Sequence, residues 1–326
     1  MSKTLLGNLP DGREVHCLSL QSGRLSAKVL TLGAILQDLR MEGVGYPLVL
    51  GAPDVADYLG SARYFGAIVG RFANRIGEGR FTLDGKTYRT DLNFRDRHTL
   101  HGGGEGTDAQ IWQVQSLSPD RATLTMELPD GHMGFPGRIR IAAEIGLAGD
   151  GLSFTLSAGA DAPTVCSLAH HGFFDLDGRG DIRNHSLMID AGHYLPVDDD
   201  LIPTGEIRPV ADTDFDFRSL RRIGSAGYDH NFCLSEGQRP LRPVARLTGE
   251  SGLSMQVETT ACGLQFYDGT YMRDVPGLDG QSYGPHAGLA LETQHWPDAP
   301  NRPGFPDAVL RPGQVYSETT IYRFIA

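Results

Sequence analysis

The sequence predicts an all-β protein, a large antiparallel β-sandwich with long loops, and three observations carry that reading. Apolar and polar residues alternate along most segments, the period of half-buried strands. Turn chemistry recurs about every ten to fifteen residues, with 42 glycines and 19 prolines spread along the chain. Apolar patterns at helical spacing are scarce.

Taken in order, VADYLGSARYFGAIVG has room for a short helix, and its glycines argue against a long one. RFTLDGKTYRT, ATLTMELPDG, RIRIAAEIGLAGDGLSFTLSAGA and HSLMIDAGHYLPV read as strands. Asp84-Gly85, Asp130-Gly131 and Asp150-Gly151 stand between alternating stretches, a hairpin signal. No Pro- or Ser-rich linker divides the chain and no fixed-period repeat runs through it. Residues 1–326 are therefore expected to form a single domain, and a propeller, which needs blade-length repeats, ranks below a sandwich.

Composition narrows the function. With 29 Lys plus Arg against 40 Asp plus Glu, the net charge of −11 argues against a nucleic acid or an anionic membrane as partner. A neutral small molecule fits better. The first residues, MSKTLLGNLPDG, lack the apolar core of about 7 to 15 residues that marks a signal peptide, and no membrane-length apolar run follows. A cytoplasmic protein is expected. Four isolated cysteines, Cys17, Cys166, Cys233 and Cys262, form no C-x-x-C pair and read as free thiols in or near the core.

Polar residues inside apolar runs are the informative exceptions. Asn74 and Arg75 interrupt GAIVGRFANRIGEG, and an amide beside a guanidinium suits the oxygens of a polar ligand. His101 precedes three glycines in HTLHGGGEG, where the backbone is free to approach a ligand closely. In CSLAHHGFFDLDG, His170 and His171 are adjacent; strand alternation turns them to opposite faces, so they cannot easily share one metal. His171 is the candidate proton carrier, with an ordinary pKa of about 6.5, and His170 the candidate core residue. Asp229 and His230 stand just before an apolar strand in GYDHNFCL. Glu292 follows Leu-Ala-Leu in LETQ, where a buried carboxylate without partners costs several kcal/mol and has its pKa raised toward the range useful to a general base.

These stretches, together with NLPDG, HYLPVDDDLIPTGEI, GLQFYDG, LETQHWPDAPN and LRPGQVY, run in register from residue 8 to residue 316, and the chain resembles the aldose 1-epimerase (mutarotase) family. The resemblance implies the large antiparallel supersandwich of that family. It implies interconversion of the α and β anomers of a free aldose such as galactose or glucose. It implies Glu292 as general base at the C1 hydroxyl and His171 as general acid at the ring oxygen, with His101 assisting. Asn74, Arg75, Asp229 and Gln265 would bind sugar hydroxyls, and Phe173, Phe266, Trp296 and Phe305 are candidates for an aromatic wall. The expected partner is a monosaccharide, met by a monomer or homodimer; no cofactor and no metal are expected.

Where the family usually reads Asn-His-Ser-Tyr-Phe-Asn-Leu, this chain has His170, Gly172, Phe173 and Asp175 around His171, and Ala261-Cys262 replaces a common Gln-Pro. Substrate preference and pH profile are where these departures bear. A hexose-6-phosphate epimerase, for which Arg63 and Arg71 are the available cations, a glycosidase using Asp229 and Glu292, and a sugar sensor without chemistry are the alternatives.

Overall fold

The computed structural model describes residues 2–325. A nine-stranded antiparallel sheet is built from Gln113–Leu117, Arg121–Leu128, Ile139–Ala148, Gly151–Ala160, Tyr316–Ile325, Ser254–Thr259, Arg242–Thr248, Ser186–Ile189 and Arg221–Arg222, in that spatial order. A six-stranded sheet runs Phe173–Phe174, Leu289–Gln294, Gly263–Tyr267, Asp229–Cys233, His193–Tyr194, Arg208–Pro209, and a four-stranded one takes Ser2–Asn8 through Leu36–Met41 in sequence order. Leu18, Phe154, Leu156, Phe232, Leu264 and Leu291, drawn from all three, belong to one apolar cluster, so the sheets share a core. The long central strands owe their pairing to alternation, since a slip of one residue would turn the buried Ile139, Ile141, Ala143, Ile145 and Leu147 to the other face. The one α-helix among the described residues is the four-residue Val55–Tyr58.

Of the three expected hairpin turns, one has the expected form. Asp84 (φ 50°) and Gly85 (φ 78°) join Arg80–Leu83 to Lys86–Arg89 as a two-residue turn. In the second the turn falls one residue earlier than expected: Ala148 pairs with Gly151, so Gly149-Asp150 is the loop. The third, Asp130-Gly131, begins a longer connection in which Asp130 Oδ1 accepts the Gly137 N–H at 2.6 Å, folding the loop on itself. All four thiols are free, and burial raises the pKa of each, that of Cys166 to about 12.

The dihistidine splits across a sheet face. His170 pairs with Ile68, and its ring stacks on Phe154 at 3.9 Å and 18°, with Phe174 and Tyr322 around it. Burial lowers its pKa to about 3, so it is a neutral part of the core. Its bulk dictates its neighbour: a Cβ on Gly172 would lie 2.4 Å from His170 Cε1. Gly172→Ala should therefore destabilise the fold by about 1–3 kcal/mol, and His170→Asn should recover most of that loss in the double variant. Additive losses in a denaturant double-mutant cycle would contradict the coupling.

Candidate active site

Strand parity sets the site. On Leu289–Gln294, Leu289 and Leu291 enter the shared core while Ala290 and Glu292 face the opposite side. Gln265 pairs with Glu292 and Asn231 with Gln265, so these polar side chains stand in a row across three strands. His171 joins them from the next segment, held by its own N–H to Ala67 O and by Gly66 N–H to its carbonyl, both 2.9 Å.

Asn74 and His101 come together through a two-residue ladder in which Arg75 pairs with Leu100. Just outside it the His101 N–H donates to Asn74 O at 2.9 Å and the Asn74 N–H donates to His101 Nδ1 at 3.1 Å. An Nδ1 that accepts leaves the neutral ring's proton on Nε2. His101 is thus a fixed Nε2–H donor, and burial with the nearby His171 and Arg75 keeps its pKa well below 6.5. The loop after it packs so tightly that a Cβ on Gly102 (φ 85°) would come 2.1 Å from Gly70 O.

The sequence-predicted residues converge on one cavity of about 470 Å³, of the usual size for a small-molecule site, lined by Asn74, Arg75, His101, His171, Asp229 and Glu292. Arg75 donates Nη1–H to Asn74 Oδ1 at 3.3 Å and Nη2–H to Asp229 Oδ2 at 3.0 Å, while its guanidinium sits 4.8 Å above the Phe94 ring. Gln265 lies behind this layer, its Nε2–H donating to Asp229 Oδ1 at 2.6 Å. Both oxygens of Asp229 are therefore oriented from the protein side.

Of the expected aromatic wall, Phe173 lines the cavity, 5.0 Å from His171. Phe266, Trp296 and Phe305 do not. Phe266 has the opposite parity to Gln265 and fills the shared core against Tyr228 and Phe217; Trp296 and Phe305 pack on each other at 5.1 Å in a separate apolar cluster. Tyr267, on the same face as Gln265, takes the place expected of Phe266. Tyr64, 4.8 Å from His101 and 6.1 Å from His171, forms another wall. Tyr271 and Arg273 come from a loop and carry no periodic signal. Arg71 is buried away from the cavity, donating to Pro136 O and Gly137 O, whereas Arg63 lines it and pairs with Asp108 at 3.2 Å.

At the floor, His171 Nε2 stands 3.7 Å from Glu292 Oε1. Burial disfavours both charged forms, raising Glu292 to about 8, with Asp229 adding to the rise, and lowering His171 to about 4. At pH 7 the pair holds one proton. The donor atoms of His101, His171 and Glu292 lie within 4.8 Å of one another, a spacing that a cation could bridge. The Nε2–H of His101 is a proton donor and has no lone pair to offer, so the trio is arranged for proton transfer and hydrogen bonding.

Residues 16–323 match the family model described as aldose 1-epimerase. The chain is 39% identical to the galactose mutarotase of Rattus norvegicus over 99% of its own length and 98% of that protein's. Against the aldose 1-epimerase of Escherichia coli K12 it is 36% identical, covering 97% of both. A crystal structure of an aldose epimerase homologue from C. elegans superposes with a TM-score of 0.89 at 29% identity, over 95% of this chain and 98% of that one. Its sequence and its sandwich agree: the chain belongs to the aldose 1-epimerase family of carbohydrate isomerases.

Proposed function

We propose that this protein interconverts the α and β anomers of free aldoses such as galactose or glucose, the sugar lying in the 470 Å³ cavity with C1 and the ring oxygen over Glu292 and His171. The observation that carries this reading is an imidazole and a carboxyl 3.7 Å apart that share one proton at neutral pH. A sugar hydroxyl donating to Glu292 favours the carboxylate, and the carboxylate in turn favours an imidazolium at His171, which moves the shared proton to the nitrogen.

Glu292 then removes the proton from the C1 hydroxyl while His171 Nε2–H protonates the ring oxygen and the C1–O5 bond breaks. The open-chain aldehyde turns about C1–C2. On reclosure His171 takes back the O5 proton and Glu292 returns its proton to the C1 oxygen on the other face. His101 supports the charge changes with its fixed Nε2–H, and Asn74, Arg75 and Asp229 hold the remaining hydroxyls. Gln265 serves by orienting Asp229. Residues from 61 to 292 build one cavity, so we read residues 1–326 as one functional domain. No helix among the described residues is long and apolar enough to cross a membrane, and a cytoplasmic location suits a free monosaccharide substrate.

Glu292→Gln and His171→Asn should each lower kcat by about 10² to 10⁴ while keeping KM within about tenfold, the scale of one acid–base group, measured by polarimetry on fresh α-D-galactose and α-D-glucose. Asp229→Ala should act mainly on KM. The stability of Glu292→Gln separates chemistry from structure. Because the carboxyl is raised from 4.5 to about 8, the folded chain holds a proton between those values that the unfolded chain has lost, so this group's contribution falls as pH rises through that window. The variant should unfold at no lower a temperature than the parent at pH 8; a large drop would make Glu292 a structural residue.

The same pair sets the pH profile. Below about 4 both groups are protonated and no base remains; above about 8 neither is, and no acid remains. The expected kcat/KM is level between those limits and falls by roughly tenfold per pH unit beyond them. A profile still rising through pH 9 would exclude Glu292 and His171 as the reacting pair.

A further inference from the structure

Three arginines line the cavity, and they are not equivalent. Arg75 is paired with Asp229, and Arg63 with Asp108. Arg273 has no carboxylate within 4.0 Å among the described residues. Its Nη1 donates to Thr270 O at 2.7 Å and to Met272 O at 2.6 Å, which pins one edge of the guanidinium to its own loop. The Nε and Nη2 edge is left free of protein partners. That edge is the one whose two parallel N–H groups match both oxygens of a carboxylate.

The loop is itself anchored: the Tyr271 N–H donates to Tyr267 Oη at 2.9 Å, and Met272 is buried. Arg273 is exposed while Glu292 and His171 are buried, so the fork stands on the solvent side of the cavity they share. Counting pairs, and with Glu292 protonated at neutral pH, the cavity carries one uncompensated positive charge in a chain whose net charge is −11. Such a chain repels anions at long range, and a cation on the solvent side of the cavity opposes that repulsion locally.

We propose that the preferred substrates of this site include aldoses with a carboxylate at the chain end opposite C1, hexuronic acids, bound through the free edge of Arg273. This rests on the anomerase reading above. A single unpaired fork favours a monoanionic carboxylate over a phosphate dianion, for which a cluster of cations is the usual cradle.

The test compares anomerisation of D-galacturonate, D-galactose and D-galactose 6-phosphate by the parent protein, Arg273→Gln and Arg273→Lys. The parent should show a higher kcat/KM for the uronate than for galactose, and added salt should erode that advantage. Arg273→Gln should lower the uronate-to-galactose ratio by about tenfold, chiefly through KM, as expected for one charge-assisted pair; Arg273→Lys, keeping the charge but not the fork, should fall between. An unchanged ratio overturns the proposal, as does a loss confined to the 6-phosphate, which would assign the fork to phosphate. Failure to accelerate any of the three sugars would instead overturn the anomerase reading itself.

Discussion

The carboxyl of Glu292, buried on an inner strand with no full ion pair, is the constraint around which the site is organised. Removing a carboxylate from water is expensive, and a sheet with apolar strands on both sides offers it little relief. The structure resolves this by keeping the proton. Glu292 is raised and His171 is lowered by the same desolvation, so the cavity floor is uncharged yet holds one mobile proton between two groups. Anomerisation needs one acid and one base that exchange roles, and a pair with one proton is the smallest device that meets the need.

The other polar groups are arranged so that little must move. Asp229 is oriented by Arg75 on one oxygen and Gln265 on the other, and His101 has its tautomer set by the Asn74 backbone. These contacts follow from β-pairing: Arg75 opposite Leu100, Gln265 opposite Glu292, Asn231 opposite Gln265. A ladder defines side-chain positions better than a free loop does, and residues that hold geometry for proton transfer benefit from that rigidity. The loop of Tyr271 and Arg273 also lines the cavity, and both side chains are exposed there.

Much of this was legible from residue order alone, and the misses have identifiable causes. Alternation separates His170 from His171 and puts Glu292 away from Leu289 and Leu291, and the structure has the same division. Applied one position further, the same rule sends Phe266 to the core and Tyr267 to the cavity, so parity alone assigns the aromatic wall to Tyr267 and not to Phe266. Trp296 and Phe305 are different: they follow the end of a strand, where parity no longer speaks. The turn falls at Gly149-Asp150, one residue before Asp150-Gly151, because ten-residue strands with strong alternation set the register and the turn follows it.

What the sequence by itself determined was the all-β class, the polar residues that apolar strands would not otherwise carry, and the family to which their order belongs; each is a property of local period or of linear arrangement. The tertiary structure decided what depends on residues far apart in the chain. It put Arg75 against Asp229, 154 positions away, set His171 against Glu292, placed Arg63 and Arg273 but not Arg71 at the cavity, and gave His170 a core site that leaves no room for a side chain at Gly172. The physical reason is that desolvation and pairing arise only when distant segments close around a group, and those two effects set the pKa values on which the chemistry runs.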